Sequence, residues 1–464
     1  MPPTTASYPA DAASTSNVSE LGRFAGMIGA LTTAIDLAEG NGTGHTLRTC
    51  VIGMKIGRRL SMTPLDLSDL YYALLLKDIA GPHTQSFDMA VTGQGGLRAR
   101  RLLREGRSGM SWREAGRAIL DFHRDKPFLQ RTRSRLQFFL KRGQFRAETV
   151  AIRVAAANDL LDTLEVSNAT RVAICSVDER WDGRGAPDQL RGVLIPVIAQ
   201  IVKLAQTMEF FSRLGGEKHV IPWLHRRCHG WFDPGLVAAA TRLFESPSSW
   251  WHLEHKDLLA HTVSLEPRKN MLAATSDSID RICEVFAEVA DARSHYSSKR
   301  SVQVADIAVR IARVLKMSDR QVKTLRRAAL LHSIGQLGVP RHILEQDGAL
   351  SAEEQALVRE YPLHTYDILH RVPELEEIAQ IAMSHHERLD GSGYPNQLSG
   401  DQISRSARIL AVADVAEALA AERSFRKKYS GQQIYKILTE LTPHKLDAEC
   451  VNALMHESVI SLVA

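Results

Sequence analysis

The feature that most constrains this chain is an internal repeat. Residues 176–196, SVDERWDGRGAPDQLRGVLIP, lie over residues 384–404, SHHERLDGSGYPNQLSGDQIS, without a gap, and 11 of the 21 columns are identical. Residues 45–79 lie over residues 300–334 in the same way, with ten of 35 columns identical. Within that second pair, Ile52, Ile56 and Leu60 match Ile307, Ile311 and Leu315. Their spacing is that of one apolar helix face. Similarity that keeps its order in two separate blocks is most simply explained by duplication, so the chain reads as one helical domain used twice.

Size and composition agree. A chain of 464 residues exceeds one ordinary core. With 44% hydrophobic and 24% charged residues it is neither broadly disordered nor a disulfide scaffold. Its five cysteines are far apart and form no C-x-x-C pair, which suits small buried hydrophobes in a reducing compartment. No apolar run is long enough to span a membrane, and the opening MPPTTASYPADAASTSN lacks the pattern of a signal peptide. A cytoplasmic protein with no membrane partner is expected.

Helix spacing dominates and strand alternation is scarce, so the expected fold is all-α. The expected boundaries are a disordered tail over 1–18, a first helical domain over 19–246, a linker over 247–270 and a second domain over 271–464. An amphipathic helix around 275–292 opens the second domain. The first is lengthened by a basic insertion, about 96–148, with 15 Lys and Arg against five Asp and Glu. As +10 exceeds the net charge of +5, the remainder sums to −5. Phe122, Phe128, Phe138, Phe139 and Phe145 are interleaved there. The stretch RTRSRLQFFLKRGQF reads as an amphipathic helix with a solvated face. Nucleic acid is not the expected partner, because no recognition signature accompanies the charge. Trp250 and Trp251 suit an interdomain packing anchor better than a ligand cage.

The second copy carries LLHSIGQLGVP, then HHERLDGSGYP about fifty residues later, then ARILAVADVAEAL. This series resembles the HD-GYP branch of the HD-domain phosphohydrolases over roughly residues 275–450, and the GSGYP element in that context is highly specific. The first copy resembles a strongly diverged version of the same domain. The resemblance implies a pair of tandem HD-type helical bundles, divalent metal ions (often iron or manganese), and hydrolysis of cyclic di-GMP in a signalling role.

By resemblance, His332 stands at the HD histidine, His385 and His386 at the paired histidines, and Asp414 at the later aspartate. These four are the candidate metal ligands. Ser333 replaces the HD aspartate, Gln336 a lysine, Arg300 the opening-helix histidine and Tyr361 a histidine before proline. Two ions about 3.5–4 Å apart need a bridging carboxylate, and a serine hydroxyl is a poor substitute for one. Arg300 brings a permanent charge where a neutral ligand is needed. The first copy departs differently: it keeps His45 and Asp78 but has Lys77 at the HD histidine, Val177 and Asp178 at the paired histidines, and Gln206 at the later aspartate. It reads as structurally retained and chemically silent.

Asp390, Gly391, Gly393, Tyr394 and Pro395 form the GYP loop. By resemblance it lines the ligand pocket or docks a signalling partner; as a bare sequence it is also an ordinary turn. Glu387 reads as an exposed helix charge rather than a brace for an imidazole. Two readings of function stand side by side. One is a metal-dependent cyclic di-GMP phosphodiesterase with weakened or lost activity. The other is an inactive relative that binds a cyclic dinucleotide or a protein partner.

Overall fold

The computed structural model describes residues 12–92, 128–215, 217–245, 255–267, 275–292, 299–344, 346, 348–421 and 428–456. Helices dominate this all-α fold, and the extended pairing among the described residues consists of two isolated bridges, Cys228 with Phe232 and Asp390 with Ser399. The first half holds α1 (Ala12–Ala38), α2 (His45–Arg59), α3 (Pro64–Leu76), α4 (Gly81–Thr92), α5 (Phe128–Thr163) and α6 (Asn168–Cys175). It continues with α7 (Val197–Gly215), α8 (Glu217–Arg227), α9 (Pro234–Thr241) and α10 (His255–Ser264). The second half holds α11 (Ser276–Asp291), α12 (Arg300–Val314), α13 (Asp319–Leu331), α14 (Arg341–Leu344) and α15 (Ala352–Arg359). It closes with α16 (Tyr361–Leu369), α17 (Glu376–Met383), α18 (Arg405–Ala420), α19 (Gly431–Leu441) and α20 (Ala448–Leu454).

Residues 255 positions apart occupy matching places. α2 and α12 are both 15 residues long, and each follows a residue in the left-handed region, Gly44 and Lys299. α3 and α13 are both 13 residues long, capped by the hydroxyls of Thr63 and Ser318, which accept the N–H groups of Asp66 and Gln321. Ile52, Ile56, Ile307 and Ile311 are buried, as their shared face requires. In each half this helix packs on its successor and on a later long helix, α2 on α3 and α7, α12 on α13 and α18. Asp233 and Asp447 cap the closing helices α9 and α20 alike.

Several boundaries differ from the sequence reading. The helix α1 starts at Ala12, inside the expected tail, because the Ala- and Ser-containing stretch holds no proline and extends the helix N-terminally; residues 1–11 lie outside the described residues. The expected linker contains α10, which packs on α1 and α2. Leu258 is buried there, and the Tyr71 hydroxyl donates to the Thr262 carbonyl at 3.1 Å. Short apolar segments such as DLLAHTV carry too little periodicity to reveal that a bundle is missing one helix. Trp250, Trp251 and residues 96–127 of the basic insertion lie outside the described residues, whereas the insertion's end forms the start of α5.

The halves share one continuous apolar core. The helix α1 belongs to the first half by sequence, yet it also packs on α11, α16 and the short helix Ile334–Gly338 that follows His332. Cys50, Cys283 and Cys450 are buried, and all five cysteines are free thiols.

Candidate functional site

The second-half site forms where α13 ends, α16 begins, α17 ends and α18 passes by. His332 is the residue at the C-terminus of α13 and is fully buried. Its Nδ1 lies 2.7 Å from the Ala329 carbonyl, one turn back, which assigns the proton to Nδ1 and turns Nε2 inward as a lone pair. That Nε2 has no hydrogen-bond partner, and Asp414 Oδ1 lies 3.4 Å from it. His385 repeats the device, with Nδ1 2.6 Å from the Ala382 carbonyl. One ligand atom each of His385, His386 and Asp414 lies within 4.8 Å of the others. The fourth candidate, His332, is beside them, its ring 5.0 Å from that of His385.

The replaced positions fill this site. Arg300 donates from Nη2 to Asp414 Oδ1 at 2.7 Å and from Nε to Glu417 Oε2 at 2.9 Å. Burial pushes the Asp414 carboxyl upward, but the Arg300 guanidinium holds it well below the usual carboxylate range. The Arg300 guanidinium is destabilised by burial, yet Asp414 and Glu417 hold it firmly charged. Tyr361 Oη lies 2.8 Å from His385 Nε2 and 2.6 Å from His386 Nε2. One hydroxyl proton serves one of these nitrogens, so it goes to His385 Nε2, and His386 Nε2–H donates to the same oxygen. Burial, aided by neighbouring cationic charge, keeps both imidazoles neutral: His385 falls well below its ordinary value and His386 falls to about 3. Ser333 Oγ lies 3.1 Å from Ser301 Oγ, and Ser301 in turn donates its N–H and hydroxyl to Asp291, both at 2.8 Å. Burial is the main cause that pushes Asp291 up to about 6.

A divalent ion is what HD-domain chemistry uses, and the residues fit one ion rather than two. A second ion would need a carboxylate at Ser333, and the oxygen of Asp414 nearest His332 already serves Arg300. For one ion the donor side chains are at hand and the buried Nε2 of His332 faces the His385, His386 and Asp414 group without a partner, but such an ion would have to displace Tyr361 from the two histidines and share Asp414 with Arg300.

The loop beside the site is held from below by Glu387. This residue is 2% exposed, not the surface charge that its sequence context suggests. Its carboxylate accepts the N–H groups of Asn396 at 2.7 Å and Leu398 at 3.0 Å. A hydrophobic-to-polar pattern shows only that Glu387 ends a helix; the returning loop is what buries it. Gly391 has a φ of 77°, and a Cβ on Gly393 would fall 2.4 Å from Arg388 N and Glu387 Cα. Both glycines are therefore backbone requirements. Asp390 accepts from the N–H and hydroxyl of Ser392, closing the turn before Tyr394 and Pro395. The Tyr394 ring lies 4.7 Å from that of His386, and the Arg359 guanidinium is 5.5 Å from its centroid.

The first half has the same backbone and different chemistry. Glu179 accepts the Asp188 N–H at 2.7 Å, Gly183 has a φ of 77°, and a Cβ on Gly185 would fall 2.4 Å from Arg180 N. Thr46 donates its N–H and hydroxyl to Asp36, as Ser301 does to Asp291. Where ligands would stand are ion pairs: Lys77 donates to Asp78, His45 and Arg48 hold Glu209, and Lys203 and Arg153 hold Asp178. His45, then Arg48, pull Glu209 down to about 2 against the effect of burial. Gln206 lies on α7 where Asp414 lies on α18. Sequence reasoning missed Glu209 and Glu417. Their signal is the repeat itself, since both stand three residues beyond the later-aspartate position.

Helical bundles with a loop of this GYP form, beside a buried group of histidines and an aspartate, define the HD-domain class. The HD domain family model matches residues 284–450. The chain is 32% identical over 429 residues to 3'3'-cGAMP-specific phosphodiesterase 3 of Vibrio cholerae, covering 91% of this chain and 92% of that one. It is 31% identical over 198 residues to the cyclic di-GMP phosphodiesterase response regulator RpfG of Xanthomonas campestris, covering 42% of this chain and 52% of that one. The crystal structure of the cyclic GMP-AMP specific phosphodiesterase V-cGAP3 of V. cholerae matches with a TM-score of 0.66 at 28% identity, covering 95% of this chain and 98% of that one. This chain belongs to the HD-GYP family of HD-domain phosphohydrolases. No described helix is long and apolar enough to cross a membrane.

Proposed function

We propose that this protein is a tandem HD-GYP signalling protein that binds a 3'3'-cyclic dinucleotide and has lost the binuclear chemistry that would hydrolyse it. The observation that carries this reading is the Arg300 guanidinium on Asp414 and Glu417. It takes the carboxylate that a metal centre would use and brings a charge that would repel a second cation. Ser333, hydrogen-bonded to Ser301, supplies no bridge. The choice of ligand rests on what the similar proteins act on, together with a loop in which Tyr394 offers an aromatic face beside His386 and Arg359 offers a cation. The first half, with every candidate ligand position paired in a salt bridge or replaced, serves as the structural partner of the second. Residues 12–266 and 275–456 are the two domains of this reading.

A second reading is favoured by one specific observation, the inward, unpartnered Nε2 of His332. A single divalent ion on His332, His385, His386 and Asp414 would polarise a bound phosphoryl oxygen. The chain's own residues would then orient the nucleotide, with Tyr394 against a base, and Tyr361 would have to release the imidazole nitrogens that it engages.

Calorimetry with 3'3'-cGAMP and cyclic di-GMP tests the first reading. Saturable heat that weakens in Tyr394→Ala, with no linear dinucleotide formed in the presence of manganese or iron, is the expected result. Two or more ions per chain with turnover, or a flat trace for every nucleotide, would overturn it. Metal analysis separates the second reading: it expects one ion per chain, lost in His332→Ala.

A further inference from the structure

The two halves place the same short helix after their glycine loops and give it opposite surfaces. In the second half, Gly400–Gln402 and the start of α18 present Asp401, Gln402 and Arg405, all exposed and polar. In the first half, Gly192–Leu194 and the start of α7 present Val193, Leu194 and Val197 at the same alignment positions. Val193 is 89% and Leu194 70% exposed. Leaving side chains of this size in water forgoes about 1.5–3 kcal/mol each, so an apolar cluster on a monomer's surface marks a contact site.

Its surroundings are basic. The loop after Glu179 is tied to the turn after α8 by the Trp181 N–H to the Trp231 carbonyl at 3.3 Å and the Asp182 N–H to the Gly230 carbonyl at 2.9 Å. Together residues 180–197 and 223–231 carry five arginines against two aspartates, a surplus of three positive charges. The remaining exposed apolar side chains include Leu357 on α15 and Leu363 on α16, on either side of the exposed Glu360. Residues 351–363 carry three glutamates against one arginine, a surplus of two negative charges. The chain thus displays an apolar patch in a basic setting on one half and an apolar patch in an acidic setting on the other.

We propose that these faces bind each other between two copies of this chain, Val193, Leu194 and Val197 of one copy against Leu357 and Leu363 of the other. The arrangement proposed is the twofold one, in which each copy's basic apolar face meets the other's acidic apolar face and the assembly closes as a dimer. Apolar anchors ringed by opposite charges are the composition of a specific interface, with the charges setting register and partner choice. The acidic face adjoins Tyr394 through Arg359, so the contact would lie at the edge of the dinucleotide loop.

Sedimentation velocity of the full chain tests this independently of any nucleotide. Wild type should be a dimer that dissociates on dilution and more readily at high salt. Val193→Asp with Leu194→Gln installs the residues that the second half carries at these positions, and should raise the dissociation constant by about tenfold or more. Arg191→Glu should weaken the dimer, and adding Glu353→Arg should restore it. Far-UV circular dichroism unchanged from wild type certifies each variant's fold. A wild-type monomer at every concentration, a dimer indifferent to Val193→Asp with Leu194→Gln, or a charge swap without recovery would each overturn the proposal.

Discussion

Replacing Arg300 separates what the guanidinium contributes to stability from what it denies to a metal ion. Arg300 makes two charge-assisted hydrogen bonds in a buried setting, each worth about 1.5–3 kcal/mol. The first half shows what histidine does at this position, because His45 pairs with Glu209 through Nδ1. In Arg300→His, Glu417 should keep a partner and Asp414 should lose one, at a cost of about 1.5–3 kcal/mol. Arg300→Leu takes the guanidinium away from both carboxylates and should cost about 3–5 kcal/mol. Urea unfolding at neutral pH, followed by circular dichroism, measures both. Manganese should then stabilise Arg300→His, by about 2.7 kcal/mol at a hundredfold excess over its dissociation constant, and should do less for wild type.

The acid limb follows from the sign of the Asp414 shift. Its folded value lies below the usual 3.8, so its contribution is complete above 3.8 and is lost as the pH falls through the folded value. Removing Arg300 removes that contribution and makes the acid limb shallower. An Arg300→Leu protein that unfolds at the wild-type urea midpoint would refute the reasoning. So would manganese that stabilises Arg300→His no more than wild type.

Three further outcomes are expected. Glu387→Gln leaves one buried loop N–H poorly paired and should cost about 1–3 kcal/mol in urea unfolding while also weakening dinucleotide binding, whereas loss of neither would show that the loop holds itself. Gly393→Ala forces a Cβ against backbone and should cost about 1–3 kcal/mol, a figure that a normal melting temperature would contradict. Glu266, held against Tyr72 with burial raising it to about 7, binds a proton more tightly folded than unfolded. It should lower stability as the pH rises from about 4.5 to about 7, and Glu266→Gln should flatten that slope; an unchanged slope would remove Glu266 as its source.

Helices and loops were legible in the sequence wherever their causes are local. The face of Ile307 and Ile311 and the glycines at 391 and 393 each depend on residues a few positions away. The repeat carries long-range information as well, since it aligns Arg300 with His45 and Ser333 with Asp78 from the order of residues alone. Less was legible where the cause is a returning segment. Glu387 reads as a surface charge until Asn396 and Leu398 fold back onto it. The helix α10 reads as a linker until Tyr71 and Tyr72 close over Thr262 and Glu266.

By itself, the sequence determined an internal repeat of helix-forming segments, and which ligand-type side chains stand at its matching positions. The tertiary structure alone decided what stands in for those that are missing. Arg300 meets Glu417 across 117 positions, and Tyr361 inserts its hydroxyl between two histidines 24 and 25 positions away. The physical reason is that burial makes an unpaired charge or hydroxyl costly, and the nearest partner inside a bundle is set by which helices pack together rather than by distance along the chain.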